Sequence, residues 1–173
     1  MAGSLIKIQE TTVTSAVASV TLTGIDSTYD VYMLKTFGIE ASTSGASLHG
    51  RVTVGGSPDT TSNYDFAAKN MVATATFLNE SYVNLDYMAL SNATYEATTG
   101  SASNGIYYLF NFNNSSEYSF VTQEETAFRH DSILHGRAGG FVSTVTQSCD
   151  GLNFFMSSGN IETGTFTLYG LKS

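Results

Sequence analysis

Three histidines, His49, His130 and His135, are the side chains best suited to acid–base or metal chemistry, and their spacing favours neither. His130 and His135 lie five positions apart. In a strand that spacing points them to opposite faces, and on a helix it leaves them well over a right angle apart. A bidentate zinc pair needs the four-residue helical spacing. The dyad His130-Asp131 could orient an imidazole, but no serine stands in a Gly-x-Ser-x-Gly elbow to be activated by it. The carboxylates offer no better start. Glu124 and Glu125 are adjacent and diverge in a strand. A glycosidase pair would have to be assembled from distant positions, in a chain without the Trp that usually floors a glycan cleft. Asp26, Asp30, Asp59, Asp65 and Asp150 stand beside turn residues, where Asp serves local hydrogen bonding, and no EF-hand spacing joins them into a calcium loop. Gly136-Arg137-Ala138-Gly139-Gly140 has neither the Walker nor the dinucleotide pattern and reads as a place where a strand bends or packs closely. Cys149 is the single cysteine, which excludes an internal disulfide, and it reads as a small buried hydrophobe. The sequence therefore assigns no catalytic, cofactor-binding or metal-ligating residue.

The elements that would carry these residues are strands. Short runs with period-two alternation recur between Gly, Ser, Asn and Asp clusters, which is the sandwich or barrel signal. Ile6 and Ile8 open the series, followed by Val20 and Leu22. Next, Val31, Met33, Phe37 and Ile39 form one face of a run whose other face is Tyr32 and Leu34, as expected of a central strand. Val52 and Val54 end at Gly55–Asp59, with Pro58, the only proline, placed in the turn. Residues 66–78 read as strand, as do 82–90, while 91–104 read as a long exposed loop. Ile106, Tyr108, Phe110 and Phe112 alternate with Tyr107 and Leu109 in a strand expected to be covered on both sides. Asn113–Ser116 turns, and the runs 118–122, 141–147, 152–156 and 165–171 complete nine to eleven strands. No internal boundary interrupts them, so residues 1–173 read as a single all-β domain, a sandwich or a barrel. The tetrapeptide Leu-His-Gly-Arg occurs at Leu48–Arg51 and again at Leu134–Arg137 without flanking similarity, and reads as coincidence.

Composition narrows the partners. Only 13% of residues are charged, against about 25% in an ordinary protein. The net charge is −8 and no cationic cluster exists, which argues against nucleic acid and anionic membrane. No apolar stretch approaches a membrane span, and the first residues have no signal-peptide core, so synthesis in a cytoplasm is expected. A surface poor in charge and rich in Ser, Thr and Asn suits contact with other proteins, and equally suits a solvated β-protein with Thr-rich outer faces. The 10 Tyr and 11 Phe supply aromatic contact area.

Several stretches resemble a known family. Gly55-Gly56-Ser57-Pro58-Asp59 with Asn63-Tyr64-Asp65, the run Phe154-Phe155-Met156-Ser157-Ser158-Gly159-Asn160-Ile161, and the ending Gly164-Thr165-Phe166-Thr167-Leu168-Tyr169-Gly170-Leu171 resemble segments of small structural proteins of tailed bacteriophages. Thr23-Gly24-Ile25 and Tyr29-Asp30 fit the same pattern. The resemblance implies a jelly-roll-like antiparallel β-sandwich and a place in the virion after synthesis in the host cytoplasm. It carries over no functional residue. The expected role is a non-enzymatic capsid decoration or cement-type surface subunit, a homo-oligomer such as a trimer, in contact with other virion proteins of the capsid or tail. The alternative is a receptor- or glycan-binding module of a tail fibre or spike, with the Tyr-rich loops and the long loop Ser91–Asn104 as its binding edge.

Overall fold

A computed structural model describes residues 4–74, 77–91, 101–129 and 132–172. They form thirteen strands and no helix: β1 (Ser4–Val13), β2 (Ser19–Thr23), β3 (Val31–Ala41), β4 (Leu48–Val54), β5 (Ser57–Pro58), β6 (Tyr64–Val72), β7 (Phe77–Leu85), β8 (Met88–Ala89), β9 (Ser103–Phe110), β10 (Ser119–Phe128), β11 (Leu134–Ser143), β12 (Gly151–Met156) and β13 (Ile161–Lys172). The large sheet has the order β1-β13-β3-β9-β10-β11-β6-β7, and the small one β2-β12-β4-β5 with β8 also on β4. Every pairing is antiparallel. The fold is a jelly-roll-like antiparallel sandwich. Strands β1 to β4 alternate between the sheets, and β12 and β13 return to pair beside β2 and β1. Strands β10, β11, β6 and β7 extend the large sheet beyond β9, so it is much wider than the small one.

Alternation sets the faces. Along β10 every second residue is buried from Ser119 to Ala127, and the residues between them are exposed. Inward side chains line up across the sheet in rows. One row runs Tyr32, Leu109, Val121, Phe141, Phe66, Tyr82, and the next Leu168, Leu34, Tyr107, Gln123. Between the two sheets, Phe154 of β12 meets Phe166 of β13 at 4.9 Å between ring centroids, and both are fully buried. Rings of this kind gain from packing contact as well as from leaving water.

The structure corrects several expectations. Gly38 sits at φ +63° in a register shift of β3, so Phe37 points outward at 61% exposure while Ile39 is fully buried. The two were expected to share a face, and the bulge breaks the alternation. Residues 66–78 are not one strand, because β6 ends at Val72 and β7 begins at Phe77 to form a hairpin with it. Residues 82–90 are likewise divided between β7 and β8. Pro58 lies in the two-residue edge strand β5, opposite Thr53, where no ladder continues beyond it. Of the loop expected over 91–104, Ser91 and Ser101 are buried and Ser103 already belongs to β9, while 92–100 lie outside the described residues. Strand β9 is covered on one side only: Tyr107 and Leu109 are buried, Ile106 and Tyr108 exposed.

Candidate functional site

Two clusters bring chemistry-bearing side chains together. The first lies on the outside of the small sheet. His49 and Arg51 project from β4, Phe155 from the neighbouring strand, and the 86–87 connection folds over them. The imidazole stacks on Tyr87 with centroids 3.9 Å apart and meets Phe155 edge-on at 5.6 Å. Arg51 lies over the Phe155 ring at 4.4 Å. Its Nε donates to the Asp86 carbonyl at 2.7 Å and its Nη2 to the Asp86 carboxylate at 2.7 Å. Burial, followed by the Arg51 charge, pushes His49 down to about 4, so the imidazole is neutral at physiological pH. The guanidinium is thus spent on one carboxylate, one carbonyl and one ring. The cluster staples the β7–β8 connection to the sheet. We expect Arg51→Ala to lower stability by about 1–2 kcal/mol in urea titration, through lost stacking and charge-assisted bonds. An unchanged midpoint would remove the staple role.

The second cluster is buried on the inner face of the extension. One cross-strand row reads Gly105, Glu125, Arg137, Asn70. Arg137 is 1% exposed, its Nη2 stands 3.3 Å from the Glu80 carboxylate of β7, and its guanidinium lies 4.3 Å over the Phe66 ring. Asn70 Nδ2 donates to the same Glu80 carboxylate at 2.9 Å. Glu125 is 3% exposed and accepts from Ser103 Oγ at 2.9 Å. One row away, Gln123 Nε2 donates to the Leu90 carbonyl at 2.5 Å and Tyr107 Oη donates to it at 3.1 Å. Burial pushes Glu125 up to about 7, against the Ser103 bond and the Arg137 charge, which pull it down. Burial also raises the Tyr107 phenol far above its ordinary value. These groups hold the extension in register.

The other candidates are placed as follows. Glu124 and Glu125 diverge, with Glu124 exposed on the outer face. His135 is buried on the inner face of β11, and His130 and Asp131 lie outside the described residues. The loop aspartates serve turns and ties. Asp59 accepts from the Thr61 amide at 3.0 Å and from Gln147 Nε2 at 2.7 Å, and Asp150 from Thr53 Oγ1 at 2.6 Å and the Gly56 amide at 2.7 Å. Among the described residues, no three His, Cys, Asp or Glu side chains converge as metal ligands. Cys149 is fully buried, and burial pushes its thiol up to about 11, which makes it a poor nucleophile. Gly139 lies inside β11, where a Cβ would meet the Ala67 carbonyl, in keeping with close packing.

Sequence reasoning singled out neither Arg137 nor Glu80, and it missed the property that most distinguishes the surface. Among the described residues, the outer face of the large sheet exposes many large apolar side chains between the charged Lys35, Lys69 and Glu124. Phe37, Met71, Phe77, Ile106, Phe120 and Leu134 are each at least 40% exposed there. The alternation of β9 and β10 contained the signal, because their second faces were as apolar as their first. No family model matches the chain, and neither a curated protein nor a solved structure is found to be similar to it.

Proposed function

We propose that the chain is a non-enzymatic structural subunit of a tailed-bacteriophage particle, a decoration or cement-type surface protein that oligomerises and binds other virion proteins. The observation that carries this reading is the apolar outer face of the large sheet. Monomeric proteins rarely leave a contiguous apolar patch of more than a few hundred Å² in water, and larger ones mark interaction sites. The phage setting comes from the turn and strand segments at 55–65, 154–161 and 164–171 and their resemblance to small virion proteins. The two clusters of charged side chains support a non-enzymatic role, since each spends its charged groups on holding a piece of chain in place.

A receptor- or glycan-binding role would ask for a convergent aromatic platform. Among the described residues the exposed tyrosines do not all share a face: Tyr108 is on the outer face of the large sheet, Tyr82 stacks on Phe66 on the inner face, and Tyr118 stands just before β10. The test is to mix the full chain with particles lacking it and count bound copies. Binding is expected to change little between low and high salt, because screening acts on exposed charge and only 13% of the chain's residues are charged. Binding abolished by moderate salt would replace this reading with a charge-driven partner. Retention on a glycan array would replace it with the fibre or spike reading, and release of sugar from a polysaccharide would replace it with an enzymatic one.

A further inference from the structure

The outer face along β11 is a trough. Its floor is Ala138 and Gly140, beside the longer side chains of Thr122 and Glu124 on β10 and of Lys69 on β6, and it ends at Gly136, where Met71 closes over the strand. In the central cross-strand row Ala138 is flanked by Glu124 on β10 and Lys69 on β6, both exposed. Strands in a sheet are about 4.8 Å apart, so the two oppositely charged residues are rooted at equal distances on either side of the floor. The Lys69 ammonium lies over the Phe77 ring of β7, 5.3 Å from its centroid. The chain carries a net charge of −8, yet this row is electrically balanced.

We propose that the occupant of the trough is the identical trough of a second copy, in a two-fold homodimer whose axis runs along β11. This deepens the proposed role, since it rests on the reading of the chain as an oligomerising subunit and names the surface that does it. A two-fold along β11 exchanges the two walls, so Glu124 of each copy faces Lys69 of the other. Both ion pairs form at once. A two-fold across the strands, on this same row, would instead set Glu124 against Glu124 and Lys69 against Lys69. Charge complementarity therefore selects the axis. Packed sheets ordinarily stand about 10 Å apart, a gap that the side chains of Glu124 and Lys69 can jointly span, and the small floor lets the walls interdigitate. A self-complementary patch of this kind is what a closed isologous dimer requires.

The test is sedimentation velocity on the full chain at micromolar concentrations, separate from particle binding. The wild type is expected to be dimeric. Ala138→Arg fills the floor and should give a monomer. Lys69→Glu and Glu124→Lys should each raise the dissociation constant at least about tenfold, by setting like charges face to face. The double variant Lys69→Glu/Glu124→Lys should recover dimerisation, which also shows that the single variants had not failed through misfolding. A monomeric wild type overturns the proposal. So does a dimer that is indifferent to both charge reversals, or a trimer. A wild type that is monomeric yet binds particles overturns only this interface, whereas wild-type dimers that fail to bind particles overturn the particle role alone.

Discussion

Removal of residues 165–173 is expected to abolish cooperative folding, and with it any association with particles. Strand β13 lies between β1 and β3, and most of its pairs with both fall within the deleted segment. Phe166 and Leu168 would be lost from the core, each worth about 2–3 kcal/mol on burial. Phe154 would lose the ring it packs on across the two sheets. Strand β1 would keep no more than a stub of its partner, and β3 would become a bare edge open to aggregation. The total stability of a domain is only about 5–15 kcal/mol, so losses on this scale exceed what the remainder can sustain. A gentler version separates packing from pairing: Phe166→Ala should cost about 3–5 kcal/mol and leave a folded chain with an earlier urea midpoint. A truncated chain that unfolds cooperatively and still occupies particles fully would overturn both the structural account and its link to function.

The ends of the chain were legible because their side chains alternate and only one solution buries them. Val20 with Leu22 and Phe166 with Leu168 point inward as their patterns require. The extension was not legible in this way, since both faces of its strands are half apolar and local pattern does not say which is covered. The repeated tetrapeptide shows the limit most directly. At Leu48–Arg51 the leucine is fully buried and the histidine and arginine project outward. At Leu134–Arg137 the facing is reversed, with Leu134 at 55% exposure and His135 and Arg137 buried. Four identical residues are read in opposite phase, because a one-residue shift in a strand exchanges its two faces and the neighbouring strands choose between them. Arg51 finds Asp86 on a connection, whereas Arg137 finds Glu80 on β7 and the Phe66 ring of β6. No local feature of the tetrapeptide announces either partner, and for the same reason the buried cluster escaped sequence reasoning.

That cluster and the staple on the small sheet should leave opposite marks on the pH dependence of stability. Glu125 titrates at about 7 in the fold against 4.5 when unfolded, so within this window the native state holds a proton that the unfolded chain has lost. Its contribution is fully present below the unfolded value and is lost as pH rises through the folded one. His49 behaves in the reverse sense. It titrates at about 4 in the fold against 6.5 unfolded, so its contribution is present above 6.5 and lost as pH falls toward 4. Between pH 4.5 and 6.5 the two slopes oppose each other, and substitution of either one unmasks the other.

Glu125→Gln keeps an acceptor for Ser103 Oγ and removes the charge. Relative to the wild type it should gain stability as pH rises from 4.5 to 7, by on the order of 3 kcal/mol at most at the upper end. Arg137, His135 and Tyr107 face this carboxylate from the neighbouring strands, with Glu80 beyond the arginine, and loss of its attraction for Arg137 reduces the gain without changing its sign. His49→Phe keeps the stacking on Tyr87 and should gain stability relative to the wild type as pH falls from 6.5. This gain is smaller, because His49 is only half-buried and solvent screens its charge. Urea titrations of the three proteins at several pH values within the window measure both differences. Parallel curves for the wild type and Glu125→Gln would mean that Glu125 is ionised throughout and fully compensated by Arg137, and would replace the picture of a carboxyl kept protonated by burial with that of a closed ion pair.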